Sequence, residues 1–168
     1  KHVMFVGDLL RGRTVRSLAW MLSLYNDMTL YFVAPEPLQI GRDILELLDQ
    51  AGTKYVVTDD FASVMPVADA IYMTRIQAEW DADGERSTID TSAVGIGAEH
   101  MDTIKDTTVI MHPLPRRKEI STEIDNDPRA VYWRQMRNGM WIRAALILST
   151  FGRQDEANQY YDDYKPGN

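Results

Sequence analysis

The first residues able to do chemistry lie in the loop "VGDLLRGRT", residues 6–14. Its two glycines, Arg13 and Thr14 give the spacing G-x-x-x-x-G-R-T, which has arginine where a phosphate-binding P-loop has lysine. The planar fork of an arginine suits a carboxylate, whereas the P-loop lysine acts on phosphate as a point charge. A helix beginning here would add the attraction of its N-terminus for anions. The loop therefore predicts a carboxylate site at Arg13, with a nucleotide loop and a solvent-facing turn as alternatives.

A second set of polar residues follows the apolar run "AIYM" and reads "TRIQ". Arg75 and Gln77 stand two residues apart, so in an extended segment their side chains point to the same side. An arginine and an amide on one side can bind a carboxylate together with a neighbouring polar group. Taken alone, an arginine at the end of a strand is more often part of a surface ion pair.

A third loop, "MHPLPRRKEIS", is stiffened by two prolines. Pro113 and Pro115 have no backbone N–H, so the segment around Leu114 presents a row of carbonyl oxygens. Such a row suits a substrate that donates hydrogen bonds, for example an amide NH₂. His112, just before the row, fits a hydrogen-bonded histidine at the end of a strand.

Together the three loops offer two candidate binding arginines, Arg13 and Arg75, an amide and a carbonyl row, without an obvious nucleophile, metal-ligand cluster or carboxylate pair. That set suits a reaction that depends on alignment of substrates and stabilisation of charge. We therefore expect no cofactor and no metal. Each loop follows an apolar run, and the carboxyl ends of parallel strands share one sheet edge, where α/β proteins bind their ligands.

The elements that must position these loops are five short apolar runs alternating with helical patterns. The predicted strands are residues 2–6, 30–34, 54–58, 70–74 and 108–112. Because these runs are almost continuously apolar, the strands should be parallel and covered on both faces. The predicted helices are 14–25, 41–51, 60–66, a short one near 98–105, 128–138 with Pro128 in its first turn, and 140–151 after a break at Gly139. The predicted fold is α/β: a doubly wound, Rossmann-like parallel sheet of about five strands with helices on both faces, followed by C-terminal helices.

Composition narrows the function classes. The 168 residues suffice for one α/β domain, and the net charge of −7 argues against a nucleic-acid binder. There is no cysteine, so a disulfide, a cysteine-based zinc site and a thiol nucleophile are impossible. No apolar run approaches the roughly 20 residues of a membrane span, and no signal-peptide pattern is present. Since the first residues already enter a strand, we expect the chain to be a piece of a longer protein.

Three segments carry a resemblance to a known family. "VGDLLRGRTVRSL", "YMTRIQ" and "MHPLPRRKEISTEIDNDPRAVYWRQMRNGMWIRAALI" resemble the C-terminal, aspartate-binding domain of the aspartate carbamoyltransferases. The resemblance runs from about Val3 to Ile147, with the segments in the family's order and near its spacings. The ornithine-using relatives differ, since they have Cys in place of Pro113 and another signature in place of "TRIQ".

This resemblance implies an activity and roles for the residues above. The family condenses carbamoyl phosphate with L-aspartate, giving N-carbamoyl-L-aspartate and phosphate in pyrimidine biosynthesis. It implies that Arg13 and Arg75 bind aspartate carboxylates and that Gln77 lies near the substrate's amino end. It also implies that Leu114 and Pro115 contact carbamoyl phosphate, with the Pro113 carbonyl among those that meet the carbamoyl NH₂. The expected partners are the two substrates and further copies in a homotrimer, in the cytoplasm, with neither nucleic acid nor membrane.

The resemblance also implies that this sequence lacks one of the family's two domains. The predicted aspartate-binding domain spans residues 1–151, and residues 152–168 form a polar, acidic tail that should fray. The family's N-terminal carbamoyl-phosphate domain, with its phosphate-binding groups, is not in this sequence. Because those phosphate-binding groups are missing, we expect this chain alone not to turn over substrate. In the family the final helix also packs on that domain. Two departures stand out: Leu10-Arg11 replaces a Lys-Tyr pair that helps stabilise the closed state of the best-known bacterial members, and Trp80 stands where some members carry an additional aspartate-binding arginine. The alternatives are a P-loop-like nucleotide-binding domain and a non-catalytic structural relative.

Overall fold

A parallel five-stranded sheet forms the centre of the fold. The computed structural model describes residues 1–75 and 95–164 of the chain. The strands are β1 His2–Val6, β2 Thr29–Val33, β3 Lys54–Thr58, β4 Ala70–Met73 and β5 Val109–Met111. Their order is β3-β2-β1-β4-β5, and every neighbouring pair is parallel. The predicted fold class is confirmed, and each predicted strand lies within one residue of its observed bounds at both ends.

Alternate strand residues build two apolar cores, one on each face of the sheet. On the first face the strands contact α1 (Arg13–Leu22) and α2 (Arg42–Gln50), and Phe5 stacks on Phe32 with ring centroids 5.4 Å apart. On the second face the intervening strand residues pack against α3 (Phe61–Val64) and the segments around β5. The near-continuous apolar strands follow from this two-sided burial.

One strand, β3, is not covered on both faces as the sequence predicted. β3 is the edge of the sheet, and Val56 and Val57 are each 42% exposed. The runs of β1, β2 and β4 are apolar because both faces are covered. In β3 the valines instead reflect the preference of β-branched residues for strands.

The short helices are where the sequence patterns place them, with differences in extent. Asp60 caps α3, because its carboxylate accepts a hydrogen bond from the Ser63 N–H at 3.0 Å. A 3₁₀ turn over Met65–Val67 completes the predicted 60–66 helix. The helix predicted near 98–105 is reduced to a 3₁₀ turn, Ala98–His100.

The prediction of a helix from residue 128 is wrong, because the backbone there pairs with β5. Ile110 donates its N–H to the Arg129 carbonyl at 2.7 Å and accepts from the Val131 N–H at 2.9 Å. These residues are thereby held extended, and α4 begins only at Tyr132 and runs to Thr150. The predicted break at Gly139 is also absent from α4, since one glycine costs a helix only about 1 kcal/mol.

The chain divides into two compact units, residues 1–132 and residues 133–168. The second unit contains α5, Gln154–Tyr164, where the sequence pattern predicts a frayed tail. Asp155 and Glu156 lie in its first turn and favour the positive end of the helix dipole. No helix in the described part of the chain combines the length and apolar character that a membrane crossing needs.

An ion pair ties the amino ends of the strands together. Asp69, just before β4, accepts hydrogen bonds from Lys105 Nζ and from the His2 N–H, both at 2.8 Å. Lys105 also donates to the Val67 carbonyl at 2.7 Å. The hydrogen bond from Lys105, followed by that from His2, lowers the pKa of Asp69 to about 2.

We expect Asp69→Asn to lower the free energy of unfolding by about 1 kcal/mol at pH 7. Because the folded-state pKa lies below the ordinary 3.8, this stabilisation is present above about pH 4 and is lost as the pH falls toward 2. Urea unfolding of both proteins across this range checks the prediction. Glu46→Gln, at an exposed position of α2, is the control. A difference between Asp69→Asn and the unmodified chain that does not shrink on acidification would contradict it.

Candidate functional site

The order of the strands creates a crevice at one edge of the sheet. From β1 the chain winds outward to β2 and β3, then returns to the other side of β1 for β4 and β5. The loops after β1 and β4 therefore leave in opposite directions, which is the topological switch point where α/β sheets bind ligands. With strands about 4.8 Å apart, the carboxyl ends of β1, β4 and β5 lie within about 10 Å of one another.

The carboxyl ends of β2 and β3 are closed by one side chain. Gln39 Nε2 lies 3.2 Å from the carbonyls of Phe32 and Ala34 and 3.3 Å from that of Thr58. Its Oε1 accepts from the Ile40 N–H at 2.9 Å. Since these strand ends are occupied, the open part of the edge is the one that carries the three predicted loops.

Gly7 permits the closest approach at the switch point. Its φ of +110° is disfavoured for other residues, and a Cβ there would lie 2.1 Å from the Thr74 carbonyl oxygen. Thr74 in turn donates its N–H and its hydroxyl to the Val6 carbonyl, at 2.8 and 3.0 Å. These contacts hold the start of the loop after β1 against the start of the loop after β4.

The loop after β1 does not form a phosphate cradle. The Leu9 and Leu10 N–H groups both donate to the Leu38 carbonyl, at 2.9 and 3.0 Å. The Arg11 N–H donates to Asp8 Oδ1 at 3.1 Å. A P-loop uses such amides to hold phosphates, and here three are committed to acceptors of the protein itself. This arrangement disfavours the nucleotide alternative.

Asp8, in the same loop, is buried and has no role predicted from the sequence. Its side chain is 1% exposed, and Oδ2 has no hydrogen-bond partner among the described residues. A buried carboxylate oxygen without a donor is costly, and such costs are typical of functional sites. The signal in the sequence is its place directly after Gly7, the glycine that follows β1.

The two predicted arginines lie in the segments that follow the adjacent strands β1 and β4. Arg13 is exposed as the first residue of α1, whose first turn contains no acidic residue. Arg75 is half-buried directly after Thr74. Burial raises the pKa of the Tyr72 phenol in β4, and the side chain of Thr14 acts on it in the opposite direction. The side chain of Thr14, in the first turn of α1, therefore lies near β4, the strand that precedes Arg75. Gln77 and Trp80 lie outside the described residues.

A buried histidine organises the third loop. His112 is 1% exposed, and its Nδ1 accepts a hydrogen bond from the Leu114 N–H at 2.8 Å. Its Nε2 lies 2.9 Å from Glu119 Oε1. Leu114 has a φ of +56°, and the Leu114–Pro115 bond is cis. The bond from the Leu114 N–H to His112 holds the carbonyl segment predicted at Pro113–Pro115. His112 is thus a hydrogen-bonded histidine at the end of a strand, as the sequence suggested.

The far end of this loop is held by Arg116. Its guanidinium donates to Asp125 Oδ2 at 2.6 Å and to the Ser121 carbonyl at 3.3 Å, and it lies 5.3 Å from the centroid of the Tyr132 ring. Tyr132 is fully buried and donates its hydroxyl to Asp125. Burial opposes ionisation of Asp125, but the bonds from Arg116 and Tyr132 prevail and lower its pKa. This anchor is not predictable from local sequence patterns, because its members are separated by up to 16 residues.

The structure places Arg75 and Pro113–Pro115 directly after β4 and β5, and Arg13 at the start of α1, the helix that follows β1. They combine cationic forks with a constrained carbonyl segment, which is chemistry for a carboxylate and an amide donor. The described ranges contain no group of three or more acidic, histidine or cysteine residues placed to bind a metal ion.

Comparison with known proteins agrees with this chemistry. The family model described as aspartate/ornithine carbamoyltransferase, Asp/Orn binding domain, matches residues 1–150. The catalytic subunit of aspartate carbamoyltransferase from Vibrio cholerae is 43% identical over 145 residues, which are 86% of this chain and 47% of that protein.

Solved structures of similar proteins have the same fold. Aspartate transcarbamoylase from Trypanosoma cruzi in complex with N-(phosphonacetyl)-L-aspartic acid superposes with a TM-score of 0.80 at 39% identity, covering 88% of this chain and 48% of that one. The same enzyme in complex with carbamoyl phosphate and aspartate gives a TM-score of 0.78 at 38% identity, with the same coverage. The chain spans about half the length of these relatives.

We expect Gly7→Ala to destabilise the chain by about 3 kcal/mol or more, because the new Cβ collides with Thr74 and the backbone conformation is disfavoured. Gly52→Ala is the matched control. It also has a positive φ, of +68°, but nothing lies within 4 Å of its Cβ, so it should cost only about 1 kcal/mol. Thermal unfolding of the two variants checks the difference, and equal losses would refute the close approach at the switch point.

Proposed function

We propose, since the chain belongs to the family of aspartate and ornithine carbamoyltransferase Asp/Orn-binding domains, that it is the aspartate-binding half of an aspartate carbamoyltransferase. The complete enzyme would convert carbamoyl phosphate and L-aspartate to N-carbamoyl-L-aspartate and phosphate. The observation that carries the proposal is the strand order, which puts the segments that carry Arg13, Arg75 and Pro113–Pro115 after three neighbouring strands at the switch-point edge. Catalytic subunits of aspartate carbamoyltransferase among its relatives support it.

In this proposal each loop acts on a different part of the reaction. The guanidinium groups of Arg13 and Arg75 bind the two aspartate carboxylates, and Gln77 lies near the amino end. The carbonyl of Pro113 accepts a hydrogen bond from the carbamoyl NH₂, beside Leu114 and Pro115. The aspartate nitrogen then bonds to the carbamoyl carbon and loses a proton, while the bond from that carbon to the phosphate oxygen breaks and phosphate leaves with the electron pair. Alignment and charge stabilisation are the protein's contribution.

The proposal includes a partner domain. The described loops offer forks for carboxylates and carbonyls for an amide, and the relatives are about twice as long as this chain. We assign the phosphate-binding groups to an N-terminal carbamoyl-phosphate domain, with residues 1–151 as the aspartate domain and residues 152–168 as its tail. Assembly as a homotrimer and a cytoplasmic location stay predictions.

We expect the chain, supplied with a carbamoyl-phosphate domain, to carbamoylate aspartate but not ornithine. Arg13→Ala and Arg75→Ala should each lower kcat/KM for aspartate by about 100-fold, because each removes a charge-assisted contact with a carboxylate. Arg16→Ala is the control, since Arg16 lies on the same helix but pairs with Asp43. Steady-state assays of product formation check this. Transfer to ornithine, or an equal loss in Arg16→Ala, would contradict the proposal.

A further inference from the structure

The third loop contains a chain of hydrogen bonds that reaches beyond the residues assigned to substrate. It begins at His112, which is 1% exposed, and leads in two directions from the imidazole ring. One nitrogen, Nδ1, accepts from the Leu114 N–H at 2.8 Å. Since Nδ1 is the acceptor, the ring proton resides on Nε2, which donates to Glu119 Oε1 at 2.9 Å. The carboxylate therefore sets the tautomer that Leu114 needs.

Glu119 is itself held by the backbone around it. Its Oε1 also accepts from the Arg117 N–H at 3.0 Å, and its carbonyl accepts from the Ile96 N–H at 3.0 Å. Burial alone would raise the pKa of Glu119, but the bonds from His112 and from the Arg117 backbone lower it below its ordinary value. The carboxylate is thus charged and fixed in place at neutral pH.

The bond from Leu114 to the ring fixes a carbonyl direction. The Leu114 N–H and the Pro113 carbonyl belong to one planar trans peptide, so they point in opposite directions. With the N–H directed at His112, the Pro113 carbonyl must point away from the ring. Leu114 also has a φ of +56°, which is disfavoured for a leucine and persists only where the surrounding contacts hold it.

We propose that His112 and Glu119 are positioning residues for carbamoyl phosphate: Glu119 fixes the His112 tautomer, and His112 fixes the peptide whose carbonyl receives the carbamoyl NH₂. The inference rests on the proposed function and adds two residues that touch neither substrate. It explains why a fully buried histidine stands directly before the proline pair.

The test compares isosteric variants in the complete enzyme. In His112→Asn the amide oxygen can replace Nδ1 as acceptor for Leu114, whereas His112→Gln places its amide near Nε2 and leaves the Leu114 N–H unpaired. Glu119→Gln keeps an oxygen that can accept from both His112 and Arg117, and Glu119→Ala removes it. Lys118→Ala, on the exposed side of the loop, is the control.

We expect His112→Gln to raise KM for carbamoyl phosphate and to lower kcat/KM for it by about 100-fold, with His112→Asn within about tenfold of the unmodified enzyme. Glu119→Gln should act like the unmodified enzyme within a few-fold, and Glu119→Ala should show about a tenfold loss. Nitrogen NMR of His112 should show a single tautomer in the unmodified enzyme and in Glu119→Gln, and a mixture of tautomers in Glu119→Ala. A loss of folded protein would lower kcat alone and leave both KM values unchanged.

Equal losses in His112→Asn and His112→Gln, or an unchanged KM for carbamoyl phosphate in folded His112→Gln, would overturn the inference. An unmodified enzyme without carbamoyl transfer to aspartate would instead overturn the proposed function. The two failures are therefore distinguishable in one set of assays.

Discussion

The contact of Gly7 with Thr74 is the constraint on which the candidate site depends. It sits between β1 and β4, the two neighbouring strands whose connections leave in opposite directions. Only a residue without a side chain lets these strand ends meet, and the Thr74 hydroxyl then bonds across to Val6. Arg75 directly follows Thr74, and Arg13 begins the helix that follows the loop after Gly7, so both arginines lie on the two segments that this contact joins.

The rest of the edge is arranged around that junction by buried polar contacts. Gln39 closes the ends of β2 and β3, and the His112 and Arg116 networks hold the two ends of the loop after β5. Inside the protein such bonds gain strength, and each lost partner leaves a buried group unpaired. A rigid site of this kind suits a reaction in which two substrates must be aligned.

Much of this architecture could be predicted from the sequence because it depends on local patterns. The apolar runs predict the strands, and glycine and proline spacing predicts the loops that follow them. The break predicted at Gly139 and the frayed tail failed for local reasons, because a helix tolerates one glycine and the acidic tail forms α5. The other failures depended on contacts between separated residues. The start of α4 moved from residue 128 to Tyr132 because Arg129 and Val131 pair with Ile110. Likewise, Asp8 and the link from His112 to Glu119 become visible only when burial and hydrogen-bond partners are known. The roles of Arg13, Arg75 and Gln77 stay predictions.

The central claim is that these loops supply the aspartate half of a site completed by another domain. The most direct measurement is calorimetric titration with N-(phosphonacetyl)-L-aspartate, which joins a phosphonate to an aspartate, of the chain alone and of the chain supplied with a carbamoyl-phosphate domain. We predict tight binding only when the domain is present, and weak or undetectable binding to the chain alone. Equal affinity in the two titrations, or no binding in either, would contradict the claim.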